Sequence, residues 1–269
     1  MIKSSILSLT LLVSVFAYTQ NIAIPVGKKF GVTMVTQLTT KASALGQEMS
    51  LGNSLTSTSD YEVKAVTNNG FTISSTLKHV TGTSSVMGEE QTFDSNDSSS
   101  HDDPQYEGLA DILNKPIDIE VENKRTTFKG EGSEGFSQVS GIPGMANDQA
   151  KFFLTKEDML KLKEGNQWTD SISTEESKVL YEYTVLKAGG PTAEILVKAT
   201  IKIDINVKEM GMEIKQSLKG TSNGRRQYNS QTGLLLKEDS DIAIGGKMEV
   251  LGQPSPINIT GKIITTVTQ

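Results

Sequence analysis

The sequence predicts a mainly β protein built on strongly curved antiparallel sheet, with one or two short helices. Three observations lead there. Apolar and polar residues alternate with a period of two through most of the chain, which is the pattern of a half-buried strand. Short turns rich in Gly and Asn separate the alternating runs. The longest run is longer than an ordinary strand, and a strand of that length must bend or bulge within a curled sheet.

The first run holds Phe30, Val32, Met34, Thr36 and Leu38 on one side and Gly31, Thr33 and Gln37 on the other. The second alternates Tyr61, Val63 and Ala65 with Glu62 and Lys64, and Asn68-Asn69-Gly70 then turns the chain into Phe71, Ile73 and Leu77. Asn and Gly tolerate the positive φ that a tight hairpin needs. Ile117, Ile119 and Val121 alternate with Asp118, Glu120 and Glu122. From Ala193 to Val207 every odd position is apolar, and the even positions are polar or charged except Leu196. At about 3.3 Å per residue this run extends roughly 50 Å. Ile257, Ile259, Ile263 and Val267 share a parity at the end of the chain. One apolar and one wet face is the habit of antiparallel sheets. Helix signals are few. Thr155 and Asp158 have capping-box spacing with Met159, Leu160 and Leu162 following, and Tyr106–Asn114 precedes Pro116.

The chain has 269 residues, no Cys, two His and a formal charge of −6. Without Cys there is no disulfide, no thiolate-bound metal and no cysteine nucleophile. The first twenty residues read as a secretory signal peptide. Lys3 opens them, Ile6–Phe16 is an apolar run too short to span a membrane, and cleavage is expected after Ala17 or Gln20. The protein is therefore expected to be exported, to the periplasm or beyond the cell. Residues 89–134 hold 13 acids against 4 bases, so the charge is concentrated in the middle of the chain. That argues against nucleic acid, which needs clustered Lys and Arg. No later segment is apolar enough for a transmembrane helix.

Three landmarks recur in order. Gly27-Lys28-Lys29-Phe30 matches Gly165-Asn166-Gln167-Trp168, Asp60-Tyr61-Glu62-Val63 matches Leu180-Tyr181-Glu182-Tyr183, and Thr92-Phe93-Asp94-Ser95 matches Gln227-Tyr228-Asn229-Ser230. They imply two related halves, residues 21–140 and 141–269, packed as one body. Together with the run from Gly108 to Gly132 and that from Tyr228 to Leu235, these landmarks resemble an uncharacterised family of secreted, β-rich, two-repeat proteins of Gram-negative bacteria. The resemblance implies export and a β-rich fold, and it carries over no activity. The expected architecture is a half-barrel like that of the periplasmic lipoprotein carriers, or alternatively a β-sandwich.

No motif assigns chemistry. Gly130-Glu131-Gly132-Ser133-Glu134-Gly135 spells a dinucleotide fingerprint, but the Gly- and Pro-containing stretch after it starts no helix, so it reads as a loop. Ser75-Thr76-Leu77-Lys78 matches SxxK inside a strand, without partner motifs. His79 shares parity with Phe71, Ile73 and Leu77 and reads as a partly buried structural histidine. The loop Asp94–Asp103, with His101, has carboxylates for calcium but neither the Gly nor the final Glu of an EF-hand loop. Trp168 reads as core. No catalytic, cofactor-binding or metal-ligating residue is assigned, no cofactor is expected, and the protein is not expected to be an enzyme. The leading expectation is a binding protein that shelters an apolar small molecule or lipid on the face of Ile195, Val197 and Ile201. The alternative is an envelope interaction protein that recognises a protein partner through sheet edges or the acidic loop.

Overall fold

The computed structural model describes residues 24–44, 47–67, 70–86, 89–97, 112–130, 148–174, 176–209, 212–250 and 252–269. Twelve strands form one antiparallel sheet: β1 (Lys29–Ala44), β2 (Gln47–Val66), β3 (Gly70–Val86), β4 (Glu89–Asp94), β5 (Pro116–Glu122), β6 (Arg125–Lys129), β7 (Gln167–Ser173), β8 (Ser177–Lys187), β9 (Thr192–Glu209), β10 (Met212–Asn229), β11 (Leu235–Val250) and β12 (Gln253–Thr268). Their order is β6-β5-β3-β2-β1-β12-β11-β10-β9-β8-β7, with β4 also paired to β3. The first and last long strands are neighbours, from Gly31 opposite Thr268 to Ala42 opposite Ile257. The described residues thus make one curled sheet, and the sandwich alternative does not hold.

The curl closes further than a half-barrel. Gly70 and Phe71 of β3 and Val121 of β5 line the same small cavity as Trp168 and Asp170 of β7. The two ends of the sheet therefore meet across the interior. Bulges contribute to this curvature, because an extra residue bends a strand and increases its twist. Register shifts lie at Thr58/Ser59 and Val63/Ala65 between β2 and β3, at Val185/Lys187 between β8 and β9, and at Gln227/Tyr228 between β10 and β11. The long run predicted around Ile195–Val207 is β9, and it pairs with β10 without a break over its 18 residues. At its other edge the register shift is taken up by β8, where Val185 and Lys187 face the consecutive residues Ile195 and Glu194.

Parity sets the two faces. Inside, Ile195, Ile201 and Ile203 of β9 are buried beside Val63, Ile73 and Ile119 of the other half of the sheet. Outside, Lys202 pairs with Asp204, Arg225 with Glu194 and Lys262 with Asp239. An apolar inside and a charged outside is the reverse of the lipid-facing belt of an outer-membrane barrel. No helix among the described residues is long and apolar enough to cross a membrane.

Two glycines show how tightly the sheet is rolled. A β-carbon at Gly220 would collide with the Ala243 carbonyl on β11, and one at Gly261 with the Gln37 carbonyl on β1. Both positions face inward, where a tightly rolled sheet brings neighbouring backbones together.

A strap closes one end. A 3-10 turn (Asp148–Phe152) leads through Phe153 and Leu154 to a short helix, α1 (Lys156–Leu160). Phe152, Phe153 and Leu154 are buried. Phe153 meets Phe71 edge-on at 4.6 Å and Phe30 at 5.8 Å, and Phe152 lies 5.3 Å from Tyr61. Backbone contacts are sparse: Leu154 N–H donates to the Gly233 carbonyl, and Phe153 bridges to Leu234. α1 starts as the sequence predicts. Thr155 Oγ1 accepts from Asp158 N–H and donates to the Asp158 carboxylate, so Asp at the third helical position engages the cap hydroxyl. Of the predicted helix Tyr106–Asn114, residues 106–111 lie outside the described residues. Ile112 is buried, and Asn114 N–H donates to the Leu77 carbonyl.

The strand pairs β1–β2 and β7–β8 begin alike. Gly27 and Gly165 have φ of 84° and 83°. Gly27 N–H donates to the Val63 carbonyl and Val63 N–H to that of Lys28; Gly165, Val185 and Asn166 repeat the arrangement. Phe30 stacks on Tyr61 at 5.3 Å, and Trp168 on Tyr183 at 4.9 Å.

Candidate functional site

The strap and the inner face of the sheet enclose a cavity of about 80 Å³. Its walls come from both halves of the sheet: Val32 and Met34 on β1, Ser57 and Ser59 on β2, Val197 and Ala199 on β9, Ile242 on β11. Small residues on facing strands leave the space. Ser57, Ser59, Ser222 and Ser240 stand at inward positions where neighbouring strands carry bulky apolar side chains. Of the residues expected to face a ligand, Val197 lines this cavity, whereas Ile195 and Ile201 are packed into the core.

Three charged side chains are buried against the cavity. Arg226 Nε donates to Glu238 Oε1 at 2.8 Å, and Lys151 Nζ donates to Glu238 Oε2 at 2.6 Å. Thr265 Oγ1 donates to Oε2 at 3.4 Å. The Arg226 guanidinium also lies over the Tyr181 ring, 5.8 Å from its centre. Burial alone would push the Glu238 carboxyl up, but the charges and hydrogen bonds of Arg226 and Lys151 outweigh it and hold the group at about 2. Lys151 belongs to the strap and Arg226 and Glu238 to the sheet, so the cluster ties one to the other. Tyr228 OH adds a hydrogen bond to the Lys151 carbonyl. Burial pushes the Tyr61 hydroxyl on the cavity wall up to about 12, so it is neutral at ordinary pH.

None of the three was singled out from the sequence. The signal was present in the parity. Arg226 shares its side with Leu218 and Tyr228, and Glu238 with Ile242 and Ile244. A charge on the inward side of an alternating strand needs an opposite charge facing it.

A second cluster bridges the ends of the sheet. Asn123 and Lys124 turn β5 into β6 with φ of 49° and 65°, the positive values a two-residue hairpin requires. Lys124 Nζ reaches the Asp170 carboxylate on β7 and lies 3.7 Å from that of Asp158 on α1. Lys161 Nζ donates to Asp158 as well. The side chain of Asp158 is 9% exposed and that of Asp170 21%, so the lysine neutralises carboxylates held largely out of water. Replacing Lys124 by Met is expected to lower stability by about 1–3 kcal/mol, because Asp170 loses its lysine and Asp158 keeps only Lys161. Urea unfolding measures it, and a change below about 0.3 kcal/mol would show that the bridge does not hold the ends together.

The remaining candidates do not converge on a site. Ser75 is buried on the inner face and Lys78 pairs with Asp60 at 3.9 Å, so the SxxK residues point apart. His79 leaves the parity of Leu77 because of the bulge opposite Thr58 and Ser59. Its Nε2 lies 2.8 Å from Asp94 Oδ1, with the ring 37% exposed. The Asn96 N–H, followed by His79, holds the Asp94 carboxyl below the usual carboxylate range. Residues 98–103 of the acidic loop, including His101, and residues 131–135 of the glycine run lie outside the described residues, as do residues 1–20. Trp168 is half-buried against Tyr183, with Lys161 Nζ 5.8 Å from its ring centre. Among the described residues no group of three His, Asp or Glu side chains is arranged to hold a metal ion.

Comparison with known proteins bears on the second half of the chain. Residues 151–235 match DUF6263, a family of unknown function. The match runs from Lys151 on the strap to the start of β11, and so includes Arg226 and stops three residues before Glu238. No curated protein matches the sequence. Among solved structures, one of lipid–protein interactions in lipovitellin aligns over 91% of this chain with a TM-score of 0.51 and 11% identity. The chain spans 25% of that protein's length, and the likeness is one of fold. An outer-membrane channel from Pseudomonas putida F1 aligns over 92% of this chain and 97% of its own, at 12% identity and a TM-score of 0.26.

Proposed function

We propose that this is an exported, non-enzymatic binding protein that shelters a small apolar or amphipathic molecule inside its curled sheet. The observation that carries the reading is the cavity between strap and sheet. It is enclosed by one continuous sheet and floored by small residues, and the strap that covers it is held by side-chain packing and few backbone hydrogen bonds. Rolled sheets with an internal cavity are a common way to hold one small ligand. The fold likeness to lipovitellin, a protein described by its lipid–protein interactions, agrees with an amphipathic occupant.

The same reading includes two related halves, residues 21–140 and 141–269. Its support is the shared start of β1–β2 and β7–β8, in which Val63 and Val185 sit at equivalent bulges opposite Ile73 and Ile195. On that alignment the partner of Tyr61 is Tyr183, two residues beyond the tyrosine that sequence spacing matches to it.

Native mass spectrometry of the protein purified from its own cell envelope tests the binding function. A bound species of lipid or small-molecule mass is expected, released when the strap is loosened by Phe152→Ala and Phe153→Ala. Bare protein in every preparation, or a stoichiometric protein partner alone, would count against the reading. N-terminal sequencing of the same material is expected to begin after Ala17 or Gln20.

A further inference from the structure

An unpaired acceptor on the cavity wall says what kind of head group it takes, on the reading of that cavity as a ligand site. Gln149, on the 3-10 turn of the strap, lines the cavity, and its Oε1 is buried without a hydrogen-bond partner. A buried acceptor left unpaired costs free energy, and a ligand that donates to it removes that cost. The donor best suited to this wall is uncharged. Glu238 is engaged through one oxygen by Arg226 and through the other by Lys151 and Thr265. An anion in the cavity would share it with Glu238, and a cation would share it with Arg226 and Lys151. Either would also give up its hydration in a space walled by Val32, Met34 and Ile242. A second feature is the hydroxyl-rich side of the wall. Ser57 and Ser59 on β2, Ser222 on β10 and Ser240 on β11 face the same space, and each hydroxyl can donate or accept.

We propose that the cavity binds a neutral aliphatic alcohol, whose hydroxyl donates to Gln149 Oε1 and whose chain lies along Val32, Met34 and Ile242. A hydroxyl is the smallest uncharged group that donates a hydrogen bond, and its oxygen can accept in turn from the serines. A carboxylate or an ether oxygen offers Gln149 Oε1 no proton, and an ammonium offers one only by bringing a charge. A cavity of about 80 Å³ is smaller than the roughly 150 Å³ that holds benzene, so it takes the hydroxyl and the first few carbons. A longer chain must displace Phe152 of the strap, which forms part of the wall.

Calorimetric titration of the full-length protein at pH 7 with hexanol, methyl pentyl ether, hexanoate and hexylammonium separates these head groups on chains of similar size. Hexanol is expected to bind at least tenfold more tightly than each of the other three. In Gln149→Met, hexanol is expected to fall to the level of the ether, with the ether affinity unchanged. A preference for hexanol that survives in this variant would overturn the role of Gln149. Ether bound as tightly as hexanol by the unaltered protein would show that no donor is recognised. Hexanoate or hexylammonium bound as tightly as hexanol would show that charge is not excluded. Either result would overturn the inference and leave the binding function standing. No binding of any of the four would overturn both. The comparison in the unaltered protein is decisive even if the variant does not fold.

Discussion

Replacing Glu238 by Gln is expected to lower the stability of the protein by about 3–5 kcal/mol, because Arg226 and Lys151 then lose the buried carboxylate to which both donate. Urea unfolding monitored by circular dichroism measures the loss. The triple variant Lys151→Met, Arg226→Met, Glu238→Leu removes all three charges at once and is expected to recover most of it. A Gln variant within about 1 kcal/mol of the parent would mean that the cluster is solvated and not buried. The same residue makes the protein acid-labile. The folded carboxyl sits at about 2 against an ordinary 4.5. A depressed carboxyl stabilises the fold above its ordinary value, and the contribution is lost as pH falls through the folded one. The window is therefore about pH 4.5 down to 2, and the shift corresponds to about 3 kcal/mol. In the Gln variant that part of the pH dependence is expected to disappear.

Gly220→Val is expected to cost about 2–4 kcal/mol, more than an exposed strand substitution of similar size. Valine favours strands, so propensity alone predicts a gain. The geometry decides otherwise. The new side chain must enter the space of the Ala243 carbonyl and of Ile244 Cγ1, which lies 2.8 Å from the β-carbon position. To make room, β10 and β11 must flatten, and flattening widens the roll that brings β7 back towards β5. Thermal unfolding gives the size of the effect. Gly190→Val in the β8–β9 connection, where a β-carbon meets nothing within 4 Å, is the control. Equal effects at the two positions would show that the tight roll is not what requires Gly220.

Strand parity was legible in the sequence because each long strand has one wet face. Phe30–Leu38, Ala193–Ile205 and Ile257–Val267 all point as their alternation says. Parity does not survive a bulge, and a bulge is set by how neighbouring strands curl. That is why His79, two residues beyond Leu77, lies beside Asp94 at the surface and Val80 takes its place inside. The strap was also illegible. Asp148–Phe152 carries no periodic pattern, and its burial depends on an aromatic pocket formed by Phe30, Tyr61 and Phe71, distant in sequence. The charged cluster joins residues 151, 226 and 238 for the same reason: only the rolled sheet brings the strap over β10 and β11.

The meeting of the sheet's two ends has a mechanical meaning. In a fully closed barrel the circumference is fixed by the hydrogen-bond ladder and its shear, so the interior widens only if backbone bonds break. Here β6 and β7 share no ladder among the described residues, and one flexible lysine spans the gap between them. The girth of the roll is thus set by side chains and not by a backbone ladder: the Lys124 bridge, the strap aromatics and the core shared by the two halves.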